Sequence, residues 1–103
     1  MLLVLTSFPS SKVARAAAEV LVSESLAACV NLPPRVESIS RWEGKLERSA
    51  EVLAIIKTTS AAWPGLEVRL RQLHPYQVPE IVAVSREKVS AVYLRWLTES
   101  VRA

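Results

Sequence analysis

The sequence predicts an α+β domain of the ferredoxin-like, split βαβ type, in the order βαββαβ with one extra helix at the C-terminal end. Three observations carry this expectation. Short apolar runs of strand length alternate with longer segments whose apolar residues return every three or four positions. A Glu-Gly pair separates two extended segments, and prolines fall at the other element boundaries. Finally, 103 residues make one domain's worth of chain, so residues 1–103 are read as a single unit.

Residues 2–5 form a continuous apolar run, read as a buried strand that stops at the turn Thr6-Ser7-Phe8-Pro9. Ser10 or Ser11 then caps a helix whose buried face is Val13, Ala16, Ala17, Val20, Leu21, Ala27 and Ala28. Residues 29–32 read as strand. Pro33 and Pro34 must interrupt it with a bulge or bend, because neither can donate to a ladder. Residues 35–42 and 45–59 are the arms of a hairpin closed by Glu43-Gly44, a weaker turn signal than Asn-Gly. Both arms exceed the usual five or six residues, so part of the hairpin is expected to project and pair with another subunit.

Pro64 suits the first turn of a second helix with Leu66, Leu70 and Leu73 on one side, ending at His74 because Pro75 follows. Two prolines between residues 74 and 80 make a stiff, extended connector into a strand at 81–84. Ser85 or Ser90 caps a third helix carrying Val89, Val92, Tyr93, Trp96, Leu97 and Val101 at helical spacing.

Composition excludes several kinds of site. The chain has one Cys, one His and no Asp, all ten acidic residues being Glu. A Ser-His-Asp triad, a Cys-clustered zinc site, an EF-hand loop and an internal disulfide are therefore out of reach of one chain. Two glycines cannot build a phosphate-cradling loop. The net charge of +3 is spread over thirteen Lys and Arg with no basic run, which argues against nucleic acid as a partner. No apolar stretch approaches the roughly 18 residues of a membrane span. A lone Cys without a secretory leader fits a cytoplasmic protein. With 50% hydrophobic residues in so short a chain, self-association is expected.

His74 is the one side chain that ordinarily titrates near neutrality, and it sits at a helix C-terminus. Two readings are open: a soft-metal ligand or proton acceptor in a cleft, or a helix-terminal histidine bonding nearby carbonyls. Cys29, among small apolar neighbours, reads as a core thiol. Most of the strand glutamates read as solvated. Glu80, in the stiff connector, is the exception, and His74, Tyr76, Glu80 and Lys57 form a candidate polar cleft.

The segments Glu24-Ser25-Leu26-Ala27-Ala28-Cys29-Val30-Asn31, Trp42-Glu43-Gly44-Lys45, Ile56-Lys57-Thr58 and His74-Pro75-Tyr76-Gln77-Val78-Pro79-Glu80-Ile81 resemble those of the CutA divalent-cation tolerance proteins. The likeness covers nearly the whole chain, ending at Tyr93-Leu94-Arg95-Trp96-Leu97. It implies a ferredoxin-like subunit in a homotrimer whose long hairpins pair between neighbours. It also implies a non-enzymatic, cytoplasmic role in tolerance of copper and other divalent cations. The intersubunit cleft of the family would correspond here to Asn31, Ser38, Trp42, Glu51, Lys57, Tyr76 and Glu80, with His74 as the metal ligand. Where copper-binding bacterial members carry a Cys and a pair of His, this chain has Thr6 and the single His of Leu73-His74, and Ser40 stands where Tyr is common. Copper binding is accordingly expected to be weak or to depend on the trimer. Other readings are a small-molecule-sensing regulator that uses the cleft, and a stable structural trimer.

Overall fold

The computed structural model describes residues 1–102. Its elements are β1 (Leu2–Phe8), α1 (Ser11–Ser23), β2 (Cys29–Asn31), β3 (Val36–Trp42), β4 (Lys45–Thr58), α2 (Trp63–Leu73), β5 (Val82–Ser85) and α3 (Ala91–Ser100). This is βαβββαβα, the expected βαββαβ order with its C-terminal helix, except that the second strand is split at Pro33 and Pro34 into β2 and β3. The strands form one antiparallel sheet in the order β2-β4-β1-β5, with β3 also pairing with β4.

Alternation along the two central strands sorts the sheet into two faces. Val4, Thr6 and Phe8 of β1 and Val52, Ala54, Ile56 and Thr58 of β4 are buried on the same side. The apolar members of that set pack with Ala14, Ala17 and Leu21 of α1 and Leu66 and Leu70 of α2. β1 is longer than the apolar run suggested. Thr6 and Phe8 continue it because their register against Ala54 and Val52 buries them on the helix side. The Thr58 hydroxyl donates to the Leu26 carbonyl at 2.6 Å. By contrast, the Thr6 hydroxyl is buried with no partner among the described residues. Thr6→Val removes that orphan donor and should raise stability by about 1 kcal/mol, read as a higher urea midpoint at constant slope.

Leu3, Leu5 and Ser7 of β1 face the opposite side, beside Leu53, Ile55 and Lys57 of β4 and Val82 and Val84 of β5. At one end of that side α3 reaches β4: the Lys57 amine stands 5.6 Å from the centre of the Tyr93 ring, and Leu97 is fully buried. Of the expected apolar stripe of α3, Leu97 is buried and Val89, Tyr93 and Val101 are half-buried, whereas Val92 is 77% exposed and Trp96 45%. Cys29 is half-buried rather than a core thiol, because its register opposite Lys57 puts it on this second face.

Helix α1 also ends earlier than its periodicity suggested. Ser10 caps it, its hydroxyl accepting from the Val13 N–H. At the other end the chain turns at Ser25 with φ +61°. The Leu26 and Ser25 N–H groups donate to the carbonyls of Leu21 and Val22, the two bonds of a Schellman motif. Ala27 then enters the core from the turn and not from the helix. Ser25 occupies the left-handed position that glycine takes without strain, so Ser25→Gly should stabilise by about 0.5 kcal/mol after the entropic cost of glycine. A thermal melt reads this as a small rise in Tm.

β2 and β3 follow one another along β4. Asn31 pairs with Ile55 and Val36 with Glu51, so the strand carrying Pro33 and Pro34 has one residue more than its partner, the anticipated bulge. Glu43 and Gly44 close the hairpin with φ +51° and +78°, which matches a type I′ turn. β1 pairs with β4 only from Val52 to Thr58, so on the arm 45–51 one edge of β4 has no strand partner among the described residues. The molecule is accordingly elongated, 45 × 26 × 23 Å.

Candidate functional site

The connector after α2 crosses the end of β1 and carries the site. His74 ends the helix in an extended conformation (φ −84°, ψ 131°), as the following proline requires. The residue is 7% exposed, and its ring stacks on Phe8, with centroids 4.5 Å apart and planes 15° from parallel. Nε2 lies 2.7 Å from the Ser7 carbonyl oxygen, and Nδ1 accepts the Tyr76 N–H at 3.2 Å. Tyr76 tilts against the His74 ring at 4.9 Å and donates its hydroxyl to Glu51 Oε2 at 2.7 Å. The Ser7 hydroxyl donates to the same oxygen at 3.3 Å.

These contacts set the protonation states. Burial pushes the Glu51 carboxyl up, but hydrogen bonds from Ser38, Tyr76 and Ser7 outweigh it and hold the carboxyl below its ordinary value. Burial pushes His74 below 6.5, against the opposing pulls of the Ser7 carbonyl and Glu51, so the imidazole is neutral at pH 7. Burial and the Glu51 carboxylate together push the Tyr76 phenol up to about 12. The site at neutral pH is therefore a carboxylate, a neutral imidazole and a phenol.

Outside this cluster a groove of about 580 Å³ opens between the hairpin and the connector. Ser40, Trp42, Glu47, Ser49 and Glu51 of the hairpin line one side, and Pro75, Tyr76, Gln77 and Val78 the other. No Lys or Arg lines it. Its volume is within the range of small-ligand clefts.

Of the cleft residues expected from the sequence, the structure brings together His74, Tyr76 and Glu51, with Ser38 against Glu51 and Trp42 in the groove wall. It separates the rest. Lys57 is six residues beyond Glu51 on β4 and points its amine at Tyr93, so it does not complete the polar cleft. Asn31 is exposed on β2 opposite Ile55, and Glu80 is exposed beyond the groove. Sequence reasoning missed Ser7, Phe8 and Glu47. Only the pairing register of β1 with β4 puts Ser7 beside Glu51, and nothing local to Ser7 signals it.

The donor set does not fit a soft metal within one chain. Among the described residues no three His, Cys or Glu side chains lie close enough to hold an ion. Both nitrogens of His74 are occupied, and Cys29 is on another strand, opposite Lys57.

The family model for the CutA1 divalent ion tolerance protein matches residues 2–100. The chain belongs to the CutA1 family. The CutA1 relative from Thermus thermophilus, a divalent-cation tolerance protein, is 48% identical over 97 residues, 94% of each chain. Protein CutA of Homo sapiens is 46% identical over 96 residues, covering 90% of this chain but 54% of the human protein, so the chain spans about half the length of its mammalian relatives. Among solved structures, CutA1 from Thermus thermophilus superposes with a TM-score of 0.95 at 47% identity, covering 99% of this chain and all of the other. CutA from Archaeoglobus fulgidus, described as a periplasmic divalent cation tolerance protein, superposes at 0.94 with 32% identity over 99% of this chain and all of the other. The CutA1 name is that of a tolerance family and not of an enzyme class. No helix among the described residues is long and apolar enough to cross a membrane.

Proposed function

We propose that this CutA1 family member works in the cytoplasm as a non-enzymatic homotrimer in tolerance of divalent cations, copper included, and meets the ion weakly and at subunit interfaces. The observation that supports this reading is the edge of the hairpin arm 45–51, without a strand partner among the described residues, together with a half-exposed apolar sheet face. Leu46 on that arm is 66% exposed, and Val82 and Val84 remain about half exposed on the face. A bare edge next to apolar surface invites pairing with further copies of the chain. An interface would also supply donors that one subunit lacks. Light scattering after size exclusion should give roughly three times the 11.4 kDa of one chain. A monomeric mass would sink the trimer. Cells lacking the gene should grow less well than complemented cells in graded cupric salt, and equal growth would count against the tolerance role.

The groove favours a second reading, a trimeric regulator that senses a small molecule. It is roomy, carries the aromatic rings of Trp42 and Tyr76, and is lined by hydroxyl and carboxylate groups. A thermal-shift screen against metabolites tests it; uniform silence would remove it.

A further inference from the structure

The hydrogen bonds around His74 form a closed ring that starts and ends at Ser7. The Ser7 carbonyl bonds His74, His74 bonds the Tyr76 N–H, the Tyr76 hydroxyl bonds Glu51, and Glu51 accepts the Ser7 hydroxyl. We infer that His74 is the latch of this ring, a positioning residue that holds the groove wall at Tyr76 onto β1, and that any divalent cation taken by the protein is held without its imidazole.

The direction of every bond in the ring is determined by chemistry. A carbonyl only accepts, so Nε2 carries the hydrogen; a backbone N–H only donates, so Nδ1 presents its lone pair to Tyr76. Glu51 as a carboxylate only accepts, so both hydroxyls donate to it. A metal needs a free nitrogen lone pair. At Nδ1 it would displace the Tyr76 N–H. At Nε2 it would need the other tautomer, whose Nδ1–H would face the Tyr76 N–H, and it would have to lie against the Ser7 carbonyl. Turning the ring away would break its stacking on Phe8 together with both of its hydrogen bonds. The inference goes beyond the proposed trimer and stands whether or not copper binds.

Nitrogen-15 spectra of the unmodified protein at neutral pH should show a protonated Nε2 and an unprotonated Nδ1, unmoved and unbroadened by substoichiometric cupric chloride. Calorimetric titration with cupric chloride should give His74→Gln the affinity of the parent protein, and Cu(II) resonance spectra should show no nitrogen couplings lost on substitution. An Nδ1–H tautomer, selective broadening of the ring, or a loss of about tenfold or more in affinity would overturn the latch. If cupric ion does not bind the parent at all, the copper element of the proposed function fails, and the nitrogen spectra still decide the role of His74.

Discussion

His74→Ala should destabilise the protein by about 2–4 kcal/mol, the largest effect expected of any substitution in the site. The substitution removes a ring stacked on Phe8 and strands two backbone groups, the Ser7 carbonyl and the Tyr76 N–H. Each stranded group costs of order 1–3 kcal/mol if water cannot reach it. Chemical denaturation of the two proteins at equal concentration checks this, equal concentration being needed because association adds to apparent stability. The pH profile offers a second check. Because the folded His74 has its pKa lowered from 6.5, its contribution is fully present above 6.5 and is lost as pH falls through the folded value. Glu51, lowered from 4.5, behaves the same way in more acid solution. Stability should thus decline in two stages on acidification, and His74→Ala should lack the first.

Tyr76→Phe should cost about 1–2 kcal/mol at neutral pH. It keeps the ring against His74 but removes the shortest donor to Glu51, and hydrogen bonds to charged groups are worth about 1.5–3 kcal/mol before partial solvation is discounted. The loss should narrow only as pH falls through the folded pKa of Glu51, which lies below 4.5, because there the carboxylate that made the bond strong becomes protonated. With its folded pKa raised to about 12, the Tyr76 phenol contributes fully below about 10 and loses that contribution as pH rises through the folded value. An alkaline titration followed by tyrosine absorbance should therefore show one late-ionising phenol that Tyr76→Phe removes. If the variant matches the parent in both stability and titration, the Tyr76 to Glu51 bond is not formed in solution.

The legible parts of the fold were those written in local chemistry. Pro64 and Pro75 bracket α2 almost to the residue, Glu43-Gly44 closes the hairpin, and Pro33-Pro34 marks the bulge. The misread boundaries have a common cause. Thr6 looked like a turn residue and Ala27 like a helical one, yet both owe their burial to contacts with distant segments. In α3, helical spacing predicts a continuous buried stripe, but only Leu97 is fully buried, while Val92 and Trp96 stand exposed.

The site divides along the same line. Residue type and spacing alone singled out His74 and Tyr76, because a lone histidine in a proline-stiffened connector is visible in any reading of the chain. What His74 does was decided by tertiary structure. β1 and β4 pair in a register that brings Ser7 and Phe8 to the ring and Glu51 beyond Tyr76, although Ser7 and the histidine it holds are 67 positions apart in the chain. Periodicity and turn chemistry act over a few residues, so the sequence determined the order of elements, the absence of Asp and the scarcity of soft ligands. The direction in which each lone pair points depends on strand register across the whole domain, and only the folded structure shows both nitrogens of His74 already in use.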